Sequence, residues 1–230
     1  MDESRYRTLR RVAVVLTIAW IGWTLYDGRP IASTATSREL AAADRYLEDG
    51  EFQQALSSFN RVYAQDPDNL GALRGQAQAW MRLGMQRAQQ ASQLDPARQQ
   101  EIDRLRSESV QQLAQALTLY DKAIEGERVA GVSESNRRAQ GVALANRGIL
   151  KDRLGDYRGA LADYRAGLEL EPELAEGPGW LTRFLRNQSQ RPPTVADRAR
   201  YLAEQLAKPE AERVMRNPEL DNRQRAYRLD

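Results

Sequence analysis

The chain contains neither cysteine nor histidine. That excludes zinc fingers, disulfide frameworks, cysteine nucleophiles and every triad or metal site that needs imidazole or thiolate. An enzyme made from this sequence would have to run on carboxylates, Lys, Tyr or Ser alone, and no arrangement of those suggests one. The sequence therefore reads as non-enzymatic, with no cofactor, no metal and no small-molecule substrate. Lysine is nearly missing as well, at positions 122, 151 and 208 only, so Arg carries the positive charge. Such usage fits a GC-rich bacterial genome better than it fits a chemical role. An excess of one sign is also lacking: the net charge is +2 over 230 residues, which argues against nucleic acid as a partner. Absence of cysteine is compatible with an oxidising compartment without establishing one. The length suffices for one or two domains with a sizeable core.

What is present is a repeat. Residues 141–172 read GVALANRGILKDRLGDYRGALADYRAGLELEP. Gly148 and Ala160 are small where two helix axes must approach, and Gly155 suits a helix C-terminus because it takes left-handed dihedrals. Pro172 cannot continue a helix. One hundred and five residues earlier, Ala43, Gly50, Phe52, Ala55, Phe59 and Pro67 stand at the offsets of Gly148, Gly155, Tyr157, Ala160, Tyr164 and Pro172. These residues resemble the tetratricopeptide repeat, whose unit of about 34 residues carries a small–Gly–aromatic–Ala–aromatic–Pro pattern. The resemblance spans roughly residues 36–186 and implies an all-α solenoid of about three helical hairpins whose concave face binds a peptide or helix of another protein. The signature residues themselves build the scaffold.

The first repeat predicts helices over 37–49 and 52–65, with Asp66, Pro67, Asp68 and Asn69 supplying a stop and the next N-cap. In the second, Leu70, Leu73, Ala77, Trp80 and Gly84 take first-helix offsets, but Ala116, Tyr120 and Ala123 arrive late. Gly84 to Ala116 is 32 residues, against five from Gly50 to Ala55, an insertion of 27. Asp95 followed by Pro96 reads as an N-cap with Pro at the first helical position, and Ile102, Leu105, Val110, Leu113, Leu117, Tyr120 and Ile124 continue a helical period. The preferred reading lengthens both helices, as 70–93 and 96–125, into an antiparallel arm centred on about 85–111 and reaching roughly 20 Å. In the alternative, an extra helix folds back and thickens the core. Residues 126–138 read as a loop.

At the N-terminus, residues 1–11 are polar and carry Arg5, Arg7, Arg10 and Arg11, and 12–26 hold no charge. The preferred reading is a single-pass anchor over 12–31, with residues 1–11 in the cytoplasm and the repeats in the periplasm, at a bacterial inner membrane. The uncharged run spans only about 22 Å as a helix, which snorkelling and the apolar stretch to Ile31 would extend. Trp20, Trp23 and Tyr26 cluster near one end as interfacial aromatics do. The alternative is a cleaved signal peptide with Ser33, Thr34 and Ala35 at its cleavage site.

Beyond Pro172, residues 173–188 read as a capping helix, and 189–230 as a helix to about Ala207 followed by an extended tail. Thr194 with Asp197 forms a weak capping box for that helix. The tail, with Arg at 213, 216, 223, 225 and 228, reads as loose unless docked on a partner.

In the family, ligand-facing positions lie on the first helix of each repeat, at the second, fifth, ninth and twelfth residues from the repeat start. Carried over, they are Ser37, Leu40, Asp44 and Leu47, then Gly71, Arg74, Gln78 and Met81, then Val142, Ala145, Ile149 and Asp152. Leu40, Leu47, Met81 and Ile149 would form an apolar strip edged by Asp44, Arg74 and Asp152, suited to an amphipathic or extended segment. In the alternative, Leu40 and Ile149 pack against the arm and leave no open groove. Chaperone-binding members hold a C-terminal carboxylate in a Lys/Asn clamp; Leu40 and Asp44 stand where Lys and Asn would be needed, so that mode is rejected. Asp152, Asp156 and Asp163 read as solvated helix faces. The expected role is a membrane-anchored scaffold holding or assembling a protein partner, such as a subunit of a membrane complex. The alternative is a secreted periplasmic adaptor.

Overall fold

The computed structural model describes residues 14, 16, 17, 35–176, 192–217, 220, 226 and 227. The chain divides into two units, Met1–Arg38 and Glu39–Asp230. Of the first, the described residues are all helical. Among the described residues every regular element is a helix, so the class is all-α. The elements are α1 (Ala35–Asp49), α2 (Phe52–Gln65), α3 (Leu70–Gln93), α4 (Gln99–Ala130), α5 (Arg137–Leu154), α6 (Tyr157–Leu170) and α7 (Val195–Ala207). Short 3-10 turns follow α6 (Pro172–Ala175) and α7 (Glu210–Glu212).

The turns follow from single residues. Gly155 ends α5 at φ +92°, a conformation that costs a side chain strain, and its N–H caps the Asp152 carbonyl. Asp156 then caps α6, its Oδ1 accepting from Gly159 N–H at 2.9 Å. Asn69 opens α3 in the same way, Oδ1 accepting from Ala72 N–H at 3.0 Å.

The pairs α3–α4 and α5–α6 are antiparallel, because the start of one helix meets the end of the other. Arg74 near the start of α3 pairs with Glu127 near the end of α4, while Ser109 Oγ donates to the Gly84 carbonyl at 2.8 Å further along. In the next hairpin Arg137 Nε reaches the Leu170 carbonyl at 2.8 Å and Arg147 meets Asp163 at 2.7 Å. Successive hairpins join through one aromatic. Phe59 of α2 lies against Gly75 of α3, and Tyr120 of α4 meets Asn146 of α5. Gly75 stands five residues after Leu70, and Asn146 five residues after Gly141.

The main core runs from Leu73, Ala77 and Met81 through Leu113–Tyr120 and Val142–Leu150 to Val195, Ala199 and Leu202. Ala43, Leu47, Phe52, Ala55 and Phe59 form a second cluster with Ala79 and Leu83. A third, Ala91, Ile102 and Leu105 with Leu94 against it, closes the far end of the α3–α4 hairpin.

Several boundaries differ from the sequence reading. α3 is unbroken through residues 82–90, but α4 begins at Gln99, not at Pro96. Asp95 Oδ1 accepts from Ala97 N–H and its carbonyl from Arg98 N–H, which turns Pro96 into part of a tight turn instead of a first helical residue. α4 also runs to Ala130, through what was read as loop. Glu127, buried and paired with Arg74, keeps its last turn docked until Gly131 ends it at φ +82°. The expected helix over 173–188 opens as the 3-10 turn, and its remainder from 177 lies outside the described residues. Among the described residues no helix is long and apolar enough to cross a membrane. The anchor read over 12–31 lies outside them, apart from residues 14, 16 and 17, as do residues 1–11.

A Cβ on Gly148 would lie 2.6 Å from the Tyr164 ring and 3.2 Å from the Ala160 carbonyl. Gly148→Ala should therefore cost about 1–3 kcal/mol by forcing α5 and α6 apart, read as a lower urea midpoint. Arg165→Ala, on the exposed face of α6, should stay within about 0.5 kcal/mol of the parent.

Candidate partner-binding groove

The residues expected to form an open apolar strip are mostly covered. Met81, Ala145 and Ile149 expose no surface, and Leu47 and Val142 are buried. This corrects the reading of Leu47, Met81, Ala145 and Ile149 as groove contacts: an apolar side chain on that face gains more from the core than from water. Leu40 is half-buried against the second cluster, with its side chain beside Gly71. Asp44, Arg74, Gln78 and Asp152 keep polar roles, each set by a specific neighbour.

Arg74 Nη1 donates to Glu127 Oε1, a carboxylate 2% exposed. Arg74 Nε and Glu127 Oε2 find no partner. Burial pushes the Glu127 carboxyl above its ordinary range, against the pull of Arg74. Asp44 is also raised, by desolvation first and by Glu48 second, with Arg74 opposing, although its residue reaches solvent. Asp44, Arg74 and Glu127 thus make one coupled edge.

Asp152 is not a solvated face residue, and neither is Asp163. The Asp152 carboxylate accepts from Arg198 Nε at 2.7 Å, from Arg198 Nη2 at 2.8 Å and from Tyr164 Oη at 3.2 Å, with all three groups buried. Asp163 takes two hydrogen bonds of 2.7 Å from Arg147 and an ion pair of 2.9 Å from Lys151. Only Asp156 of the three acidic residues is exposed, as a helix cap. Sequence spacing could not separate them, because the partners lie 16 and 46 residues away.

The floor between α3 and α5 is polar and holds a piece of the C-terminal tail. Asn146 Nδ2 donates to the Tyr227 carbonyl at 3.1 Å, and Tyr227 N–H donates to Asn146 Oδ1 at 2.8 Å. Gln78 Nε2 donates to the same carbonyl at 3.2 Å. The Tyr227 hydroxyl donates to the Leu174 carbonyl at 3.0 Å and accepts from Val195 N–H at 3.0 Å. Asn146 Nδ2 also donates to Tyr120 Oη at 3.2 Å, and burial holds that phenol's pKa far up, in its neutral form.

The tail is thus less loose than the sequence suggested. Residues 208–217 fold back on α7, with Arg198 Nη2 donating to the Met215 carbonyl and Tyr201 Oη to that of Val214. Of the expected groove residues, Gln78 meets Tyr227 and Asp152 meets Arg198 of α7. Asn146, Arg198 and Tyr227 were missed. Asn146 did leave a signal: an amide among Val142, Ala145 and Ile149, on the stripe that a helix buries, must find a partner. Among the described residues no group of acidic side chains converges as a metal site requires.

Compared with protein-family models, with curated proteins and with solved structures, the chain finds no match in any of the three.

Two outcomes follow. Arg198→Met alone should destabilise the chain by about 3–5 kcal/mol, because it strands a buried carboxylate, whereas Arg198→Met with Asp152→Leu should recover most of the loss; a denaturation cycle reads both. The raised Glu127 contributes stability that is fully present below the ordinary glutamate range and is lost as pH rises through the raised value. Glu127→Gln, neutral throughout, should thus gain on the parent as pH rises across that window, followed by thermal melts from pH 4 to 8.

Proposed function

We propose that this chain is a tetratricopeptide-type solenoid serving as a non-enzymatic scaffold, anchored in a bacterial inner membrane by residues 12–31 with its repeats in the periplasm. It holds or assembles a protein partner, in the manner of a subunit of a membrane complex. The observation that carries the reading is the pairing of the Asn146 amide with both the N–H and the carbonyl of Tyr227. A side-chain amide that donates and accepts against one residue's main chain reads peptide backbone and asks nothing of its side chain. A face so equipped suits a non-helical segment of protein. The recurrence of the aromatic seam at Gly75 and Asn146 supports the repeat reading. The 24 and 32 residues of α3 and α4, against 14 to 18 in the flanking hairpin, support the projecting arm.

The test is a detergent pull-down of the intact chain from its own membranes, with mass spectrometry of the bound proteins and of its N-terminus. A stoichiometric membrane protein with Met1 retained, lost at least tenfold in Asn146→Ala at unchanged helical circular dichroism, is the expected result. Equal recovery by Asn146→Ala would reject the groove as the contact. A mature start near Thr36 would replace the anchor with a secreted adaptor.

A further inference from the structure

We propose that the Tyr227 seat is an exchangeable peptide site. The chain's own tail fills it at rest, and a partner occupies it by presenting a non-helical segment with a tyrosine at the same place. This deepens the interaction-module reading and rests on it.

The seat is built, not incidental. Asn146 is 1% exposed, and Tyr227 N–H is the donor its Oδ1 receives. Removing the tail would strand that oxygen and leave the Gln78 amide without the Tyr227 carbonyl. A buried acceptor with no donor is disfavoured, so the seat favours being filled by a main chain. Specificity comes from the second half of the contact. The phenol of Tyr227 bridges the Leu174 carbonyl and the Val195 N–H, two main-chain groups at the edges of the stretch 175–194. Phenylalanine fits the ring but supplies neither bond. The seat therefore selects an amide-paired backbone plus a tyrosine hydroxyl.

The resident occupant belongs to the same chain and keeps part of its surface in water. Tyr227 and Ala226 are only half-buried, and Tyr227 stands ten positions after Asn217, the end of the described stretch 192–217. Because Tyr227 belongs to the same chain as its seat, the tail binds intramolecularly and competes with any free segment. A free segment is then outcompeted unless the tail is weakened or the partner offers more contacts. The device is a threshold: partners that bind by this seat alone are excluded.

The experiment uses the full chain and a fluorescent synthetic peptide of residues 220–230, LDNRQRAYRLD, read by anisotropy. Tyr227→Ala weakens the resident tail and leaves Asn146 and Gln78 intact. It should bind the peptide at least tenfold more tightly than the parent chain does. A peptide with Phe in place of its Tyr should lose at least tenfold, and Asn146→Ala in the Tyr227→Ala background should bind none. Equal affinity for the parent and Tyr227→Ala would overturn the proposal, as would no binding by a helical Tyr227→Ala chain. Loss of the helical circular dichroism of Tyr227→Ala would overturn it too, by making Tyr227 part of the fold and not a ligand. Peptide exchange without any membrane partner in the pull-down would leave this inference standing and sink the scaffold reading. A partner captured without peptide exchange would do the reverse.

Discussion

A carboxylate and a guanidinium placed out of water face to face set the terms for the C-terminal half of this molecule. Asp152 on α5 and Arg198 on α7 are both essentially inaccessible, and their two hydrogen bonds run in parallel. Desolvating either charge costs several kcal/mol, and the opposite charge is the main offset. The third hairpin therefore cannot keep Asp152 buried without α7, and α7 cannot keep Arg198 buried without the hairpin. The same guanidinium also donates to the Met215 carbonyl, so the backbone after α7 is drawn into the arrangement. An extension that would otherwise be optional becomes continuous with the core, where Val195, Ala199 and Leu202 lie among the residues of α5 and α6.

Ion pairs recur across the hairpins, and their burial differs in a way that matters. Arg147 with Asp163 and Arg74 with Glu127 each cross between the two helices of one hairpin with a carboxylate almost fully covered. Arg61 with Glu39 does the same at the first hairpin, but both groups are solvated and contribute little. The apolar surface fixes that the helices pack. The covered pairs add a second condition, since a slip by one turn would strand a charge.

Legibility from sequence tracks the distance between cause and effect along the chain. The stop at Gly155, the cap at Asn69 and the capping box of Thr194 with Asp197 each involve residues within a few positions of one another. So does the helical period that carries α3 through Gly84. Asp95–Pro96 fails even at that range, because an Asx turn and an N-cap begin with the same residues and differ only in where the next N–H groups point. Whether Met81 or Ile149 is open was not legible, because it depends on what covers each of them. The cover for Gln78 and Asn146 comes from Tyr227, 149 and 81 residues away, and nothing local in that basic tail marks the tyrosine as seated.

The extra length of the α3–α4 hairpin disturbs this plan very little, and the reason is geometric. Adding residues to both arms of an antiparallel pair moves the turn outward while leaving the pairing below it unchanged. Gly84 still faces Leu113, and Tyr120 still reaches Asn146 at the seam. The added length then needs its own apolar contacts, which Ala91, Leu94, Ile102 and Leu105 supply at the far end. Had the extra length fallen between Ala116 and Tyr120, the aromatic would have rotated off the seam and the next hairpin would have lost its register. Placed at the tip, it is compatible with a floor on which Gln78 and Asn146 converge on the carbonyl of one residue, and that convergence requires α3 and α5 to keep a fixed separation.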